Sequence, residues 1–429
     1  MKFTKGQILI FGAGALVLLL LISVFLGIIP GKKHKDNIPK FELNFWGIDS
    51  PLAYEKIIAN YQKLRPNITV KYQPVSELTY ENDLINALAA GQGPDIFMIK
   101  NTWLLKHRDK IFPLPENQLS FSNFQQLFPN VVSQDFIFNK TVYASPLFID
   151  TLVLYYNKDF FDQKGVALAP ATWQELLDLI PQLRELNYAA EIIKAAAAIG
   201  GSTKTVSRAA DILELLMLQK GVSMLDPELK KAAFNDQKGR EAFDFYTRFA
   251  NPASPYYTWN DSLINSLDSF SQGKTAIIFD YNSEAKNIKA KNPFLNFGIN
   301  PMLQFNPEQA INFAYYWGYT VASKTDSLKG SWAWDFILFM TTNSQSAEMY
   351  LEATKRPPAL RSLINKYIKD QDLGILAKQA LTSRSWLQPD DVKVEQIFSE
   401  MIASVISGRL SSASALQQAA DQITQLLKQ

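Results

Sequence analysis

"NALAAGQGPDIFMIK", residues 86–100, decides how this chain is read. A helical pattern runs out in Ala-Ala, the four residues Gly91-Gln92-Gly93-Pro94 break it, and an apolar strand begins at the carboxylate Asp95. Glycine suits the left-handed position that closes a helix, and Pro94 stiffens the turn. A helix, a tight turn and a continuous apolar strand point to a parallel α/β unit, whose central strands are covered on both faces. In open sheets of this kind solutes bind beyond the carboxyl ends of the strands. Asp95 stands at the strand's beginning, so it is expected to bond the turn amides. The working residues are expected past its end, at Lys100, Asn101, Thr102 and Trp103.

The flanks repeat the pattern. "FELNFWG" (41–47) reads as a strand, Ser50-Pro51 as a helix start, and Tyr54, Ile57, Ile58, Tyr61 and Leu64 recur at helical spacing until Pro66 forbids continuation. "ITVKY" (68–72) is a second strand, "YENDLINALAA" (80–90) a second helix, and "DIFMI" (95–99) a third strand. Farther on, "VYASPLFIDTLVLYYNKDFF" (142–161) is extended over an unusual length, as a segment passing between two lobes would be. "TWQEL" (172–176) carries a capping box opening another helix. "AADILELLMLQKG" (209–221) reads as an apolar helix, "TAIIFDY" (275–281) and "GYTVAS" (318–323) as strands, and the last hundred residues as helices.

Composition bounds the rest. The 429 residues are 47% hydrophobic and 12% aromatic, enough for well-packed cores. Once the N-terminal segment is set aside, about 390 residues remain, more than one core normally organises. Forty-three Lys and Arg against forty-one Asp and Glu leave +2, mixed along the chain, which argues against nucleic acid. Without cysteine there are no disulfides, thiolate metal sites or thiol catalysis. Residues 8–29 hold no charge over 22 positions, the length of a bilayer span, and end without an Ala-x-Ala cleavage pattern. Residues 1–30 are therefore expected to be an uncleaved membrane anchor and 31–40 a polar tether. Lysines on both flanks barely decide its orientation.

Several chemistries are excluded or weakened. "GGSTKT" (200–205) lacks the Gly before Lys that a phosphate loop requires and reads as a turn, although amide-rich helix starts also bind solute oxygens. His34 and His107 are too few for a histidine metal cluster, so no metal is expected, and His107 reads as a surface residue. There is no G-x-S-x-G elbow. An accidental carboxylate pair such as Asp49 with Asp150 keeps a glycosidase reading open.

The succession "ITVKY", "AAGQGPDIFMI", "PLFIDTLVLYYNKDFF", "ATWQEL", "FSQGKTAIIFDY", "GYTVASKT" and "SWAWDFILFM" resembles the maltose-binding-protein-like solute-binding proteins of carbohydrate ABC importers, over nearly all of 41–429. The resemblance implies a two-lobe, class II periplasmic-binding-protein-like α/β fold, a cleft that closes on a sugar or polyol, an ABC permease as partner, no cofactor and no catalysis. It also implies a monomer with its folded part outside the cytoplasm. By that likeness the first lobe holds 41–148 and 268–312, and the second 149–267 and 313–429 with the C-terminal helices. Such relatives usually carry a lipidated cysteine; here the apolar span would replace it. Sugars pack on aromatic rings and bond mixed polar groups. The candidate binding residues are Trp46, Asp49 and Ser50; Lys100, Asn101, Thr102 and Trp103; Asp280 and Tyr281; Trp317; and Trp386. Core packing is the competing reading for each aromatic. Because these candidates are mostly aromatic and mixed polar, the expected ligand is neutral. A surface sensor or adhesin without transport is the alternative function.

Overall fold

In the computed structural model the described residues are 39–428 together with Thr4 and Gly6. The span expected over 8–29 lies outside the described residues, among which no helix is long and apolar enough to cross a membrane. The chain divides after Phe41, and Glu42–Gln429 form one compact unit.

The longer strands, in chain order, are β1 (Phe41–Gly47), β2 (Ile68–Pro74), β3 (Ile96–Lys100), β4 (Asp150–Asn157), β5 (Ile192–Ala197), β6 (Thr275–Tyr281), β7 (Phe297–Asn300), β8 (Asn312–Tyr315) and β9 (Trp317–Ala322). They divide between two sheets. The first runs β2-β1-β3-β9 and on to Ile111–Phe112, with Ser145–Pro146 also paired to β9. The second runs from Ser383–Arg384 through β8-β4-β6-β5 to Glu185–Leu186, with β7 also on β4.

The opening stretch folds as read. The helix Tyr80–Ala89 ends at Gly91, whose φ of +70° is the left-handed conformation that glycine adopts without strain. β3 then enters buried, parallel to β1 with Ile96 opposite Phe45 and antiparallel to β9 with Lys100 opposite Trp317. Asp95 is structural, but its partners lie across the sheet instead of in the turn. Its carboxylate accepts from the Asn44 amide at 2.8 Å and pairs with Lys329 at 2.7 Å.

The expected division of the chain requires correction. Residues 268–312 supply β6 and β7, both of which pair with β4 in the second sheet. Residues 313–429 supply β9, which inserts into the first sheet beside β3. The helix Ser327–Thr342 stays with that sheet, since Trp334 donates to the carbonyl of Phe112 and Asp335 accepts from Tyr61. The reason is physical: an apolar strand is satisfied by any sheet whose edge and faces it completes, and its own sequence does not say which.

Three stretches of the described residues cross between the sheets. Residues 146–150 do so within the segment expected to cross, and 315–317 link β8 to β9. The third, 355–360, pairs with the first through Phe148 and Pro358, Ile149 donating to the carbonyl of Pro357 and Ala359 to that of Leu147. A buried carboxylate knots this junction. Asp135 accepts from Asn101 at 3.3 Å, from Tyr316 at 2.7 Å and from the Ser385 hydroxyl. Burial pushes its pKa up to about 7, against the opposing pull of those three bonds.

Candidate functional site

The carboxyl ends of β1, β3 and β6 and the start of the helix Ala209–Gln219 converge on a cavity of about 620 Å³ lined from both sheets. The position is the one that open parallel sheets favour. Tyr281 and Tyr315 form one wall, ring centroids 5.0 Å apart, and Trp317 forms another, seated edge-on against Trp103 at 5.2 Å and Tyr80 at 5.3 Å. Such flat apolar faces among polar groups suit a hydroxyl-rich solute.

Of the residues expected to bind, Lys100, Asn101, Thr102, Tyr281 and Trp317 line this cavity; Trp46, Asp49, Ser50, Trp103, Asp280 and Trp386 do not. Four of these six form a layer behind the wall. Asp49 holds Arg356 at 2.9 Å and accepts from Tyr54 and Tyr350; Asp280 holds Arg208 at 2.8 Å; Trp103 backs Trp317; and Trp386 donates to Glu214 at 2.8 Å. Trp46 sits half-buried, its carbonyl accepting from Tyr80, and Ser50 caps the turn at Leu52. Asn101 lines the cavity, yet its amide is engaged by Asp135 and the carbonyl of Ala314. The physical reason is depth: a strand end supplies both a residue that faces the cavity and a neighbour that braces it, and aromatic character is equally useful in either place.

The other expectations resolve as follows. In "GGSTKT" the amide of Ser202 and the hydroxyls of Ser202 and Thr205 all bond Asp261, which occupies the place where an anion would sit. His107 is buried, not at the surface, with Nε2 2.7 Å from Glu81. Glu81 resists burial: the bonds from His107 and Lys106 hold its pKa down to about 2. Asp150, the other half of the suggested carboxylate pair, is buried and accepts from the amides of Thr151, Asn282 and Ser283.

What the sequence reading missed is the charge of the lining. Seven carboxylates (Glu77, Asp150, Asp211, Glu214, Glu284, Asp391 and Glu395) face three cations (Lys100, Arg208 and Arg356) among the described residues. A signal was present in "RAADILELLML" (208–218), where Arg208, Asp211 and Glu214 recur every three residues on an otherwise apolar helix. Lys100 pairs with Asp391 at 3.1 Å, joining the end of β3 to the helix Asp391–Ile406.

The family model of bacterial extracellular solute-binding proteins matches residues 47–347, more than half of the 429. The chain belongs to this family. This solute-binding protein is 24% identical over 267 residues to an uncharacterized ABC transporter extracellular-binding protein of Pyrococcus horikoshii, covering 58% of this chain and 57% of that one. Curated relatives are thus matched over less than two thirds of their own length. Among solved structures, the cyclic alpha-maltosyl-1,6-maltose binding protein of Arthrobacter globiformis superposes with a TM-score of 0.75 at 17% identity, over 91% of this chain and 99% of that one. The sugar-binding protein MalE of Xanthomonas citri gives 0.73 at 18%, over 90% and 98%. At these identities the likeness carries the fold, an α/β two-lobe periplasmic-binding-protein-like architecture. Membership in an extracellular family places the solute-binding protein's work outside the cytoplasm.

Proposed function

We propose that this protein captures a solute of the carbohydrate class in the cavity between its two sheets and delivers it to an ABC permease by closing one lobe on the other. The observation that carries the reading is the cavity itself: about 620 Å³, at the carboxyl ends of the strands, lined from both sheets and walled by Tyr281, Tyr315 and Trp317. The names of the relatives, which include sugar-binding and ABC transporter proteins, support the ligand class and the permease. Each lobe follows one sheet, the first taking residues 41–146 and 317–354 and the second 150–315 and 361–428. The binding set is Lys100, Thr102, Tyr281, Tyr315, Trp317 and the charged lining, with Asp49, Asp280, Trp103 and Trp386 positioning it. The apolar run 8–29 anchors a monomer to the membrane, and no bond is broken and no cofactor is used.

A ligand shifts an open–closed equilibrium only by its differential affinity for the two states, so contacts from both lobes are required. Thermal unfolding against a panel of mono- and oligosaccharides, polyols and amino acids tests the reading. At 100 times its Kd, a ligand adds ~2.7 kcal/mol to the folded state, a readily visible rise in Tm. Stabilisation by saccharides, with compaction in small-angle scattering, is the expected result. Stabilisation by amino acids alone would remove the carbohydrate assignment.

A further inference from the structure

Resting on that reading of the cavity, we infer that the solute is an aminated saccharide whose ammonium group is held by Asp211 and Glu214. The charge balance of the lining motivates this. Each lining cation is already matched: Lys100 by Asp391 at 3.1 Å, Arg208 by Asp280 at 2.8 Å and Arg356 by Asp49 at 2.9 Å. Among the described residues, Asp211 and Glu214 receive hydrogen bonds from neutral donors alone, and each on one oxygen. Tyr281 donates to Oδ2 of Asp211 at 2.8 Å; Trp386 and Gln388 both donate to Oε2 of Glu214, at 2.8 and 3.3 Å. Glu214 is only 2% exposed, yet it lines the cavity, and among the described residues its hydrogen bonds fall on Oε2, leaving Oε1 open.

A solute bearing hydroxyls alone would leave two neighbouring desolvated carboxylates with only the through-space pull of Arg208 and Lys100, themselves bonded to Asp280 and Asp391, an expensive arrangement in a closed cavity. An ammonium supplies the missing charge and three donors for the open oxygens. Burial, ahead of the opposing pull of Arg208, raises the pKa of Asp211; burial and then the charge of Asp211 raise that of Glu214. The carboxylates are not gathered into a metal cluster, since no group of three or more metal-ligating side chains occurs among the described residues, and this favours an organic cation. The cavity already shows the chemistry, because the ammonium of Lys100 lies between a carboxylate and the rings of Trp103 and Trp317, 5.3 and 5.7 Å from their centroids. The aromatic walls remain for the sugar body.

The test uses full-length protein in detergent and calorimetric titration with matched pairs: glucosamine against glucose, the glucosamine disaccharide against cellobiose, and spermidine as charge without a sugar. The amine of each pair is expected to bind at least tenfold tighter than its neutral twin. Asp211→Asn and Glu214→Gln are expected to abolish that preference, read as the ratio of the amine's affinity to that of its neutral twin on the same protein. The comparison of twins on the unmodified protein needs no variant, so misfolding of either substitution does not blunt it. Neutral sugars binding as well as their amines would overturn the inference and leave the solute-binding reading standing. Binding of spermidine without any saccharide would overturn the saccharide body, and binding by none of the sugars or amines would overturn the inference and the carbohydrate reading together.

Discussion

Replacing Asp135 by Asn should change how stability depends on pH more than it changes stability itself. The carboxyl is fully buried at the junction of the lobes, where burial pushes its pKa up to about 7 from the ordinary 3.8. Between those values the folded state keeps a proton that the unfolded chain has released. Stability from this group is therefore fully present below pH 3.8 and is lost as pH rises through about 7. At ~1.4 kcal/mol per pH unit, the gap corresponds to a loss on the order of 4 kcal/mol at most. The pull of its three donors is already contained in that pKa, and the part of the gap above pH 4.5 corresponds to about 3 kcal/mol. An amide cannot titrate, and the hydroxyls of Tyr316 and Ser385 can turn to accept from it. The assay is urea unfolding of residues 39–429, followed by tryptophan fluorescence at steps from pH 4.5 to 8.5, for the natural and Asp135→Asn proteins. All other titrations cancel in the difference between the two curves, including that of Glu81, whose contribution is lost only as pH falls toward about 2. The natural protein should lose about 2–4 kcal/mol more across the window than the variant. Parallel curves would refute the reasoning.

Further predictions follow from particular contacts. A Cβ on Gly318 would come within 2.5 Å of the Phe136 ring and 2.8 Å of Ala144, so Gly318→Ala should cost about 1–3 kcal/mol in chemical unfolding. Lys100→Met leaves Asp391 without its partner across the cavity; scattering should report a more open protein, with folding stability lowered by about 1–3 kcal/mol. An unchanged radius of gyration would mean that the pair does not hold the lobes. A chain beginning at Pro39 should move to the soluble fraction while the full-length protein stays with membranes, and equal partitioning would remove the anchor.

Much of the architecture was legible. Pro66 and Gly91 punctuate helices through local steric rules, and the apolar runs of β3, β6 and β9 announce buried strands. The likeness to solute-binding proteins rested on the same local order, and the family match over 47–347 agrees with it. An aromatic and mixed polar lining was expected of the cleft; among the described residues folding encloses seven carboxylates and three cations there. Asp211 and Glu214 sit inside a helix that reads as core, and Asp391 opens a helix distant in sequence from Lys100, so nothing local brought them together.

The sequence by itself determined the elements, because hydrophobic period, caps and breakers act over a few residues. It also determined the strand ends that border the cavity. The tertiary structure alone decided which sheet received β6, β7 and β9, which aromatics faced the cavity instead of bracing it, and how many carboxylates were enclosed there. The physical reason is that burial is encoded locally, whereas the partner is not. A buried strand is satisfied by any complementary edge, and a carboxylate's role depends on the charges brought beside it from hundreds of residues away.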